Sequence, residues 1–321
     1  MPIDIINLPE GFEATCLQVF RHQVRYNKVY RAFVEGLRVD VSEINSSVKI
    51  PFLPVEFFKS DLIISEGLTP EITFLSSGTK GLQSKHPVSD LSIYKESFQE
   101  CFRRFYGPEK GYCMLALLPS YLEREGSSLV YMLDTLIKES HHPLSGFYLH
   151  NRADLYEVIQ KLEADSQRSI LIGVTYALLD FAEEFPMKMK HTLVMETGGM
   201  KGQRKEMVRE ELHAYLCSRL GLAVIHSEYG MTELLSQAYS QGDGRFRCPP
   251  WMKVLIRDPN DPLSPGREGK TGGINIIDLA NINSCSFIAT QDLGKINPDG
   301  TFEVLGRFDN SDLRGCNLLI S

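Results

Sequence analysis

Through the middle of the chain, short apolar runs alternate with amphipathic stretches, and this alternation predicts the architecture. From about residue 71, "ITFLS" (72–76), "YCMLALLP" (112–119), "SILIGV" (169–174) and "HTLVMETGG" (191–199) read as strands. Between and after them, "SSLVYMLDTLIKE" (127–139), "YALLDFAEEF" (176–185) and "KEMVREELHAYLCSRL" (205–220) carry apolar residues at helical spacing. Alternating signals of this kind predict an α/β domain built on a largely parallel sheet flanked by helices. After residue 245 the texture turns to strands and turns, with "MKVLIRDP", "GGINIIDL", "SCSFIAT" and "GTFEVLGRF" separated by Pro, Gly, Asn and Asp, which predicts a smaller β-rich subdomain. At the other end, Val19, Phe20, Val24, Tyr30, Phe33 and Val34 fall near helical spacing, with Gly36 as a stop. Pro51 and Pro54 exclude a regular helix through "IPFLPVEFFKS" (50–60), which should be an ordered, largely buried connector. The expected organisation is a helical cap and connector over 1–60, an α/β core over 61–245, a β-rich subdomain over 246–305 and a hinge-like tail over 306–321. No repeat or low-complexity tract interrupts it.

Composition narrows the class of protein. At 321 residues, 43% of them hydrophobic, the chain can bury a sizeable core. A net charge of −7 supplies no broad basic field, which argues against nucleic acid as a partner and points to a small molecule or a protein. The seven cysteines (16, 101, 113, 217, 248, 285 and 316) are scattered and form no CxxC, so neither a disulfide framework nor a zinc site is expected. Their pattern suits a reducing cytoplasm. The first residues lack a signal core and no apolar run reaches the length of a membrane span, so the expectation is a soluble cytoplasmic protein.

Two short stretches carry candidate chemistry. "EITFLSSGTKG" (71–81) reads as a strand running into Ser76, Ser77, Gly78, Thr79, Lys80 and Gly81. Glycines permit close backbone approach, and hydroxyls, amides and a lysine offer donors to phosphate oxygens. The spacing is not that of the GxxxxGK[ST] loop, and a plain polar loop explains this stretch alone as well as a phosphate cradle does. The second stretch is "HSEYGMTELLSQAY" (226–239), where a predicted strand-to-helix corner gathers Tyr229, Gly230, Thr232 and Glu233. An aromatic face, a hydroxyl and a carboxylate so placed can stack a base, bind an α-phosphate and hold Mg²⁺. Taken singly, Tyr229 is also a plausible core aromatic and Glu233 a solvated helix residue.

Together, "SSGTKG" and "YGMTE" resemble the paired core motifs of the adenylate-forming superfamily, which includes acyl-CoA synthetases, luciferase and peptide-synthetase adenylation domains. In order along the chain, "METGGMKG" resembles its glycine turn beside the adenine, and "EGKTGGINIIDL" its glycine-rich strand entry. "QDLGKINPDGTFEVLGRFDN" resembles the segment whose aspartate and arginine hold the ribose, here Asp292 and Arg307. Through "IPFLPVEFFKS", "LLPSYLEREGSSLVYM" and "LRGCNLL" the chain is similar to the acyl-protein synthetases, the long-chain fatty acid luciferin-component ligases.

The resemblance implies a large-domain adenylation core and a two-step reaction. A carboxylate attacks the α-phosphate of ATP to give an acyl adenylate and pyrophosphate, and a thiol then takes the acyl group. By matched position, Ser76, Ser77, Thr79 and Lys80 would hold the β- and γ-phosphates, with Lys85 a weaker candidate. Tyr229 would stack on adenine, Thr232 contact the α-phosphate and Glu233 coordinate Mg²⁺, while Gly198 and Gly199 would admit the base. Most of the superfamily continues into a mobile carboxy-terminal lid with a catalytic lysine, whereas this sequence ends at Ser321, where that lid would begin. The expectation is a lidless or truncated chain, with Lys201 and Lys205 as weak replacements for the lysine.

Cys316 has two readings. Acyl-protein synthetases carry the acyl group on a cysteine near the carboxy terminus, and a thiolate suits that step; equally, Cys316 is a small apolar residue in a terminal strand. His141 and His142, before Pro143, read as surface residues, and His226 as a structural hydrogen bonder. Tyr121, Glu123 and Arg124 either border an acyl pocket or sit in a solvated loop, and "VYMLDTLI" reads as a core helix face. The expected function is ATP- and Mg²⁺-dependent activation of a fatty acid or other carboxylate, then transfer to a protein cysteine, with an acyl reductase or acyltransferase as protein partner. The rivals are transfer to CoA or a carrier pantetheine, and a nucleotide- or acyl-binding protein without turnover.

Overall fold

The computed structural model describes residues 4–77, 83–119, 126–198, 207–267 and 269–308. The chain begins with α1 (Phe12–Tyr26), α2 (Lys28–Gly36), β1 (Leu53–Pro54) and α3 (Phe57–Ser60). It continues through β2 (Ile72–Leu75), β3 (Lys85–Val88), α4 (Leu91–Tyr106), β4 (Cys113–Leu117), α5 (Ser128–Ser140), β5 (Gly146–Phe147) and α6 (Arg152–Ala164). Then come β6 (Ser169–Val174), α7 (Thr175–Glu184), β7 (Thr192–Thr197), α8 (Arg209–Leu220), β8 (His226–Tyr229), β9 (Ala238–Ser240) and β10 (Phe246–Arg247). The last strands are β11 (Met252–Arg257), β12 (Gly272–Asp278), β13 (Phe287–Ile296) and β14 (Phe302–Arg307). Two compact units result: one is Pro70–Pro249, and the other combines the chain up to Thr69 with the chain from Pro250 onward.

In the Pro70–Pro249 unit, β4 and β6 are buried at every residue, as strands covered on both faces must be. The strands lie in the order β10-β9-β8-β7-β6-β4-β5. Those from β8 to β5 pair in parallel, whereas β9 and β10 run antiparallel. The predicted α/β architecture with a largely parallel sheet flanked by helices is therefore present. The strand "ITFLS" stands apart from that sheet: β2 pairs with β3 in a two-stranded antiparallel hairpin, since a short loop closes local pairing at far lower entropic cost than a crossover. Helix α4, whose period is masked by buried Ser97 and Gln99, is capped by the Asp90 carboxylate, which accepts from Ser92 N. It buries Tyr94, Phe98 and Phe102; the Tyr94 ring lies 5.0 Å from Phe98, 5.3 Å from Phe74 of β2 and 5.8 Å from Tyr131 of α5. Burying each phenylalanine contributes roughly 1.5–3 kcal/mol, so the hairpin is anchored to the helical layer by apolar packing.

The other unit is an antiparallel sheet ordered β11-β12-β13-β14, with β1 parallel on β13. The helical run predicted over 16–37 splits at Asn27, which is extended (φ −102°, ψ 108°). Its Oδ1 accepts from Tyr30 N at 3.0 Å and starts α2, while its Nδ2 donates to Ser284 O at 2.8 Å. One turn earlier, Gln23 is fully buried and its amide is saturated. Its Nε2 lies 2.9 Å from Asn281 O, 3.0 Å from Ile282 O and 3.1 Å from Ser286 Oγ, and its Oε1 accepts from Ser286 N at 3.0 Å. These bonds hold the 281–286 turn against α1, beside a cluster in which the Phe287 ring meets Phe20 (6.0 Å), Tyr30 (5.8 Å) and Phe52 (6.3 Å). The glycine-rich entry to β12 has a steric cause. Buried Arg257 donates from Nη1 to Ile274 O (2.7 Å) and Asn275 Oδ1 (2.9 Å) and from Nη2 to Thr290 O, and a Cβ on Gly273 would lie 2.5 Å from its Cζ. No helix among the described residues is long and apolar enough to cross a membrane.

Replacing Gln23 by Leu keeps the volume and strands several buried polar groups, each costing roughly 1–3 kcal/mol when unpaired. Q23L should lower the urea unfolding midpoint clearly; an unshifted midpoint would show that the 281–286 turn holds without α1.

Candidate functional site

In an open parallel sheet, ligand sites lie beyond the carboxyl ends of the strands. Here β7 ends at Thr197 and Gly198, and its parallel neighbour β8 ends at Tyr229 and Gly230. The sequence predicts a helix after this corner; the structure corrects that. Residues 231–237 form a turn, with Leu234 N donating to Met231 O at 3.1 Å, and the chain returns as β9 antiparallel to β8, pairing Tyr229 with Ala238. The helical spacing of Leu234, Leu235 and Ala238 is overridden by strand pairing. Thr232 and Glu233 thus sit in a turn rather than on a helix.

That turn is braced from two elements. His86 of β3 is fully buried, and its Nδ1 lies 2.9 Å from the carbonyl of Thr232, which requires the Nδ1–H tautomer as donor. From α4, Ser97 shares a hydrogen bond with Ser236 (2.9 Å) and the Cys101 thiol donates to Gln237 O (3.2 Å). Glu233 is 5% exposed and Thr232 half-buried. Among the described residues, buried Gln237 Oε1 finds no hydrogen-bond partner.

Tyr229 is positioned by a chain of contacts. Its ring meets Phe246 edge to face at 5.9 Å, and Phe246 also carries the Arg209 guanidinium at 5.1 Å from the ring centroid. Arg209 Nε pairs with Oε1 of buried Glu196 at 3.3 Å, and His213 Nε2 stands 3.7 Å from the same oxygen. Thr175 donates to Gly198 O at 3.1 Å and stands 3.4 Å from Glu196 Oε2. At the end of β7, Thr197 donates to the Glu228 carboxylate, and a Cβ on Gly230 would lie 2.4 Å from Glu228 Oε1. A larger residue at 230 would require the Glu228 carboxylate to move.

On the hairpin, Ser76 ends β2 and closes the loop: Ser76 N donates to Ser84 O (3.1 Å) and Ser84 N to Ser76 Oγ (2.9 Å). Ser77 is exposed, as is Lys85 at the start of β3. Gly78, Thr79, Lys80, Gly81, Tyr121, Glu123, Arg124, Gly199, Lys201, Lys205 and Cys316 lie outside the described residues. In the other unit, β13 and β14 pair Asp292 directly with Arg307, whose Nε donates to Asp292 Oδ1 at 3.0 Å. The carboxylate is 7% exposed and the arginine 74%, so the pair contributes little to stability.

Several other histidines and cysteines among the described residues have structural places. His141 takes a left-handed conformation (φ 51°) at the end of α5, and His142 Nδ1 accepts from Leu144 N at 3.2 Å. His226 lies 3.3 Å from the Tyr106 hydroxyl through Nδ1. Burial pushes the thiols of Cys16 and Cys285 up to about 12 and that of Cys113 up to about 11, which makes them poor nucleophiles. Sequence reasoning missed His86, Glu196, Arg209 and Phe246. For His86 the signal was its place just past the SSGTKG loop; the others are recognisable only once β7, α8 and β10 are assembled.

No family model matches the sequence, and no curated protein is similar to it in sequence. The fold, by contrast, is shared with solved structures. ATP-bound MatB from Rhodopseudomonas palustris superposes with a TM-score of 0.55 at 18% identity, over 73% of this chain and 47% of MatB. A 2-hydroxyisobutyryl-CoA ligase in complex with its acyl adenylate and CoA gives a TM-score of 0.65 at 12% identity, over 92% of this chain and 70% of the ligase. The amide bond synthetase McbA from Marinactinospora thermotolerans gives 0.51 at 18% identity, over 73% and 48%. The chain spans about half the length of MatB and of McbA. At these identities the likeness shows the fold, that of the large domain of adenylate-forming enzymes.

Burial lowers the pKa of His86 to about 4, against 6.5 when unfolded. The unfolded chain therefore binds the extra proton between these values, so the stability due to neutral His86 is complete above pH 6.5 and lost as pH falls towards 4. Its magnitude is roughly 3 kcal/mol. His226, also lowered to about 4 by burial and then by His213, adds in the same direction. The urea midpoint should fall between pH 6.5 and 4, and fall less steeply in H86N; identical slopes would remove His86 from the titration.

Proposed function

We propose that this protein is an AMP-forming, ATP-dependent enzyme that activates a carboxylate, with a fatty acid as the substrate class. One observation carries the reading: the turn after β8 shelters a carboxylate, Glu233, next in the chain to Thr232, beyond the carboxyl end of a parallel strand. The likeness of the fold to that of ATP-bound MatB and of a CoA ligase holding an acyl adenylate supports it.

In this reading a substrate carboxylate oxygen attacks the α-phosphorus of ATP, the bond from that phosphorus to the bridging oxygen breaks, and pyrophosphate leaves. Both reactants are anions, so the protein's task is alignment and charge neutralisation. The Thr232 hydroxyl donates to an α-phosphate oxygen, and Tyr229, held by Phe246, offers its face to the adenine. The hydroxyls of Ser76, Ser77 and Thr79 and the ammonium of Lys80 serve the β- and γ-phosphates.

Glu233 suits Mg²⁺. Among the described residues no group of three or more His, Cys, Asp or Glu side chains is placed to hold a metal. A cation at Glu233 would take its other ligands from phosphates and water, as Mg²⁺ does and as an all-protein cage does not. Bound there, it would neutralise phosphate charge.

For the second step we propose a protein thiol, Cys316, which attacks the acyl carbonyl carbon as AMP leaves. CoA is the alternative acceptor, favoured by the fold shared with 2-hydroxyisobutyryl-CoA ligase.

ATP–pyrophosphate exchange with a panel of carboxylates tests the first step. E233Q should lose activity by about tenfold or more and require more Mg²⁺; wild-type Mg²⁺ dependence in E233Q would remove Glu233 from the metal site. Absence of exchange with every carboxylate would sink the reading. For the second step, labelled fatty acid with MgATP should leave a hydroxylamine-sensitive label that C316S abolishes while exchange continues. Acyl-CoA formed without a protein label would favour the alternative acceptor.

A further inference from the structure

The hairpin β2–β3 and the turn 231–237 are 146 residues apart at their point of contact, and that contact is an imidazole bond, His86 to the Thr232 carbonyl. His86 sits opposite Phe74 in the hairpin register, and Phe74 is packed into the Tyr94 and Tyr131 rings at 5.3 and 5.8 Å. The hairpin is therefore a rigid mount. At the far end of the turn, Ser236 and Gln237 are tied to α4 through Ser97 and Cys101. Thr232 and Glu233 lie between the two supports. We propose that His86 is a positioning residue: it fixes the Thr232–Glu233 turn to the β2–β3 hairpin, so that the turn and Ser76 and Ser77, which follow β2, are held in one register.

The chemistry favours histidine at this position. A carbonyl acceptor needs a donor, and the site is fully buried, so a permanently charged donor would be costly there. A neutral imidazole supplies one N–H on a rigid ring, with little side-chain entropy lost on fixing it. Fixing that carbonyl fixes the stretch of backbone that carries the Thr232 hydroxyl and the Glu233 carboxylate. Misplacing such groups by about an ångström costs up to about a hundredfold in rate. The catalytic consequence rests on the carboxylate-activation reading; the structural one does not.

Three variants separate the possibilities. H86N places an amide donor near the Nδ1 position, H86Q places it near Nε2, and H86L supplies none. Amide hydrogen exchange of residues 231–237, followed by mass spectrometry without ligand, should be about tenfold faster in H86L and H86Q and near wild type in H86N, as expected for loss of one buried hydrogen bond. Should H86L fail to fold, H86Q against H86N carries the comparison. In ATP–pyrophosphate exchange, kcat should fall by about tenfold or more in H86Q and H86L, with H86N restoring it and KM for MgATP little changed. Wild-type protection at 231–237 in H86Q or H86L overturns the proposal, as does H86N behaving like H86L. If the wild type neither binds MgATP nor catalyses exchange, carboxylate activation fails, and the protection pattern alone still decides whether His86 holds the turn.

Discussion

Burying a polar turn is costly unless most of its groups find partners, and the turn between β8 and β9 shows how the Pro70–Pro249 unit meets that cost. Glu233, Ser236 and Gln237 are all nearly excluded from solvent. Their support comes from α4, which offers Ser97 and Cys101 on a face otherwise made of aromatics, and from β3, which offers His86. The aromatic packing of Phe74, Tyr94, Phe98 and Tyr131 in turn holds those two supports in place. Apolar burial thus provides the rigidity, and a few directed bonds transmit it to the polar residues of the turn.

The electrostatics obey the same rule. Buried Glu196 is met by Arg209 and His213, so the carboxyl ends of β7 and β8 carry no bare buried charge at that point. Arg209 also lies over Phe246 and so steadies Tyr229. Arg257 uses carbonyls instead of a carboxylate, and its guanidinium takes the space a Cβ on Gly273 would need, while the Arg257 carbonyl and the Ile256 side chain crowd Gly272. The second glycine of a pair that resembles a family signature is, in this chain, also the footprint of a buried guanidinium.

Legibility in the sequence tracks the range of the interactions. Strands β4, β6 and β7 are readable because continuous apolar runs report burial on both faces without reference to any partner. The SSGTKG and YGMTE stretches are readable as chemistry because their residue types are local. The segment after YGMTE reads as helix and is not one, since Leu234, Leu235 and Ala238 have helical spacing, and pairing of β9 with β8 outweighs that preference. The break at Asn27 escapes for a similar reason: an asparagine inside a helical period looks neutral until Ser284, 257 residues away, supplies the acceptor that fixes it. His86 and Arg209 belong to the same class, being ordinary in sequence and informative only beside Thr232 and Glu196.

One unit is contiguous in sequence and the other is not, and this bears on how the chain is made. During synthesis α1 and α2 emerge early, yet the strands that cover Phe20 and Tyr30 and saturate Gln23 lie beyond Pro250. At bacterial or eukaryotic elongation rates the ribosome needs roughly 10–40 s to cross the intervening segment. For that interval the apolar residues of the amino-terminal segment lack the strands that bury them, whereas Pro70–Pro249 is continuous in the chain. The amino-terminal segment is accordingly the part of the chain whose apolar faces wait longest for the strands that cover them.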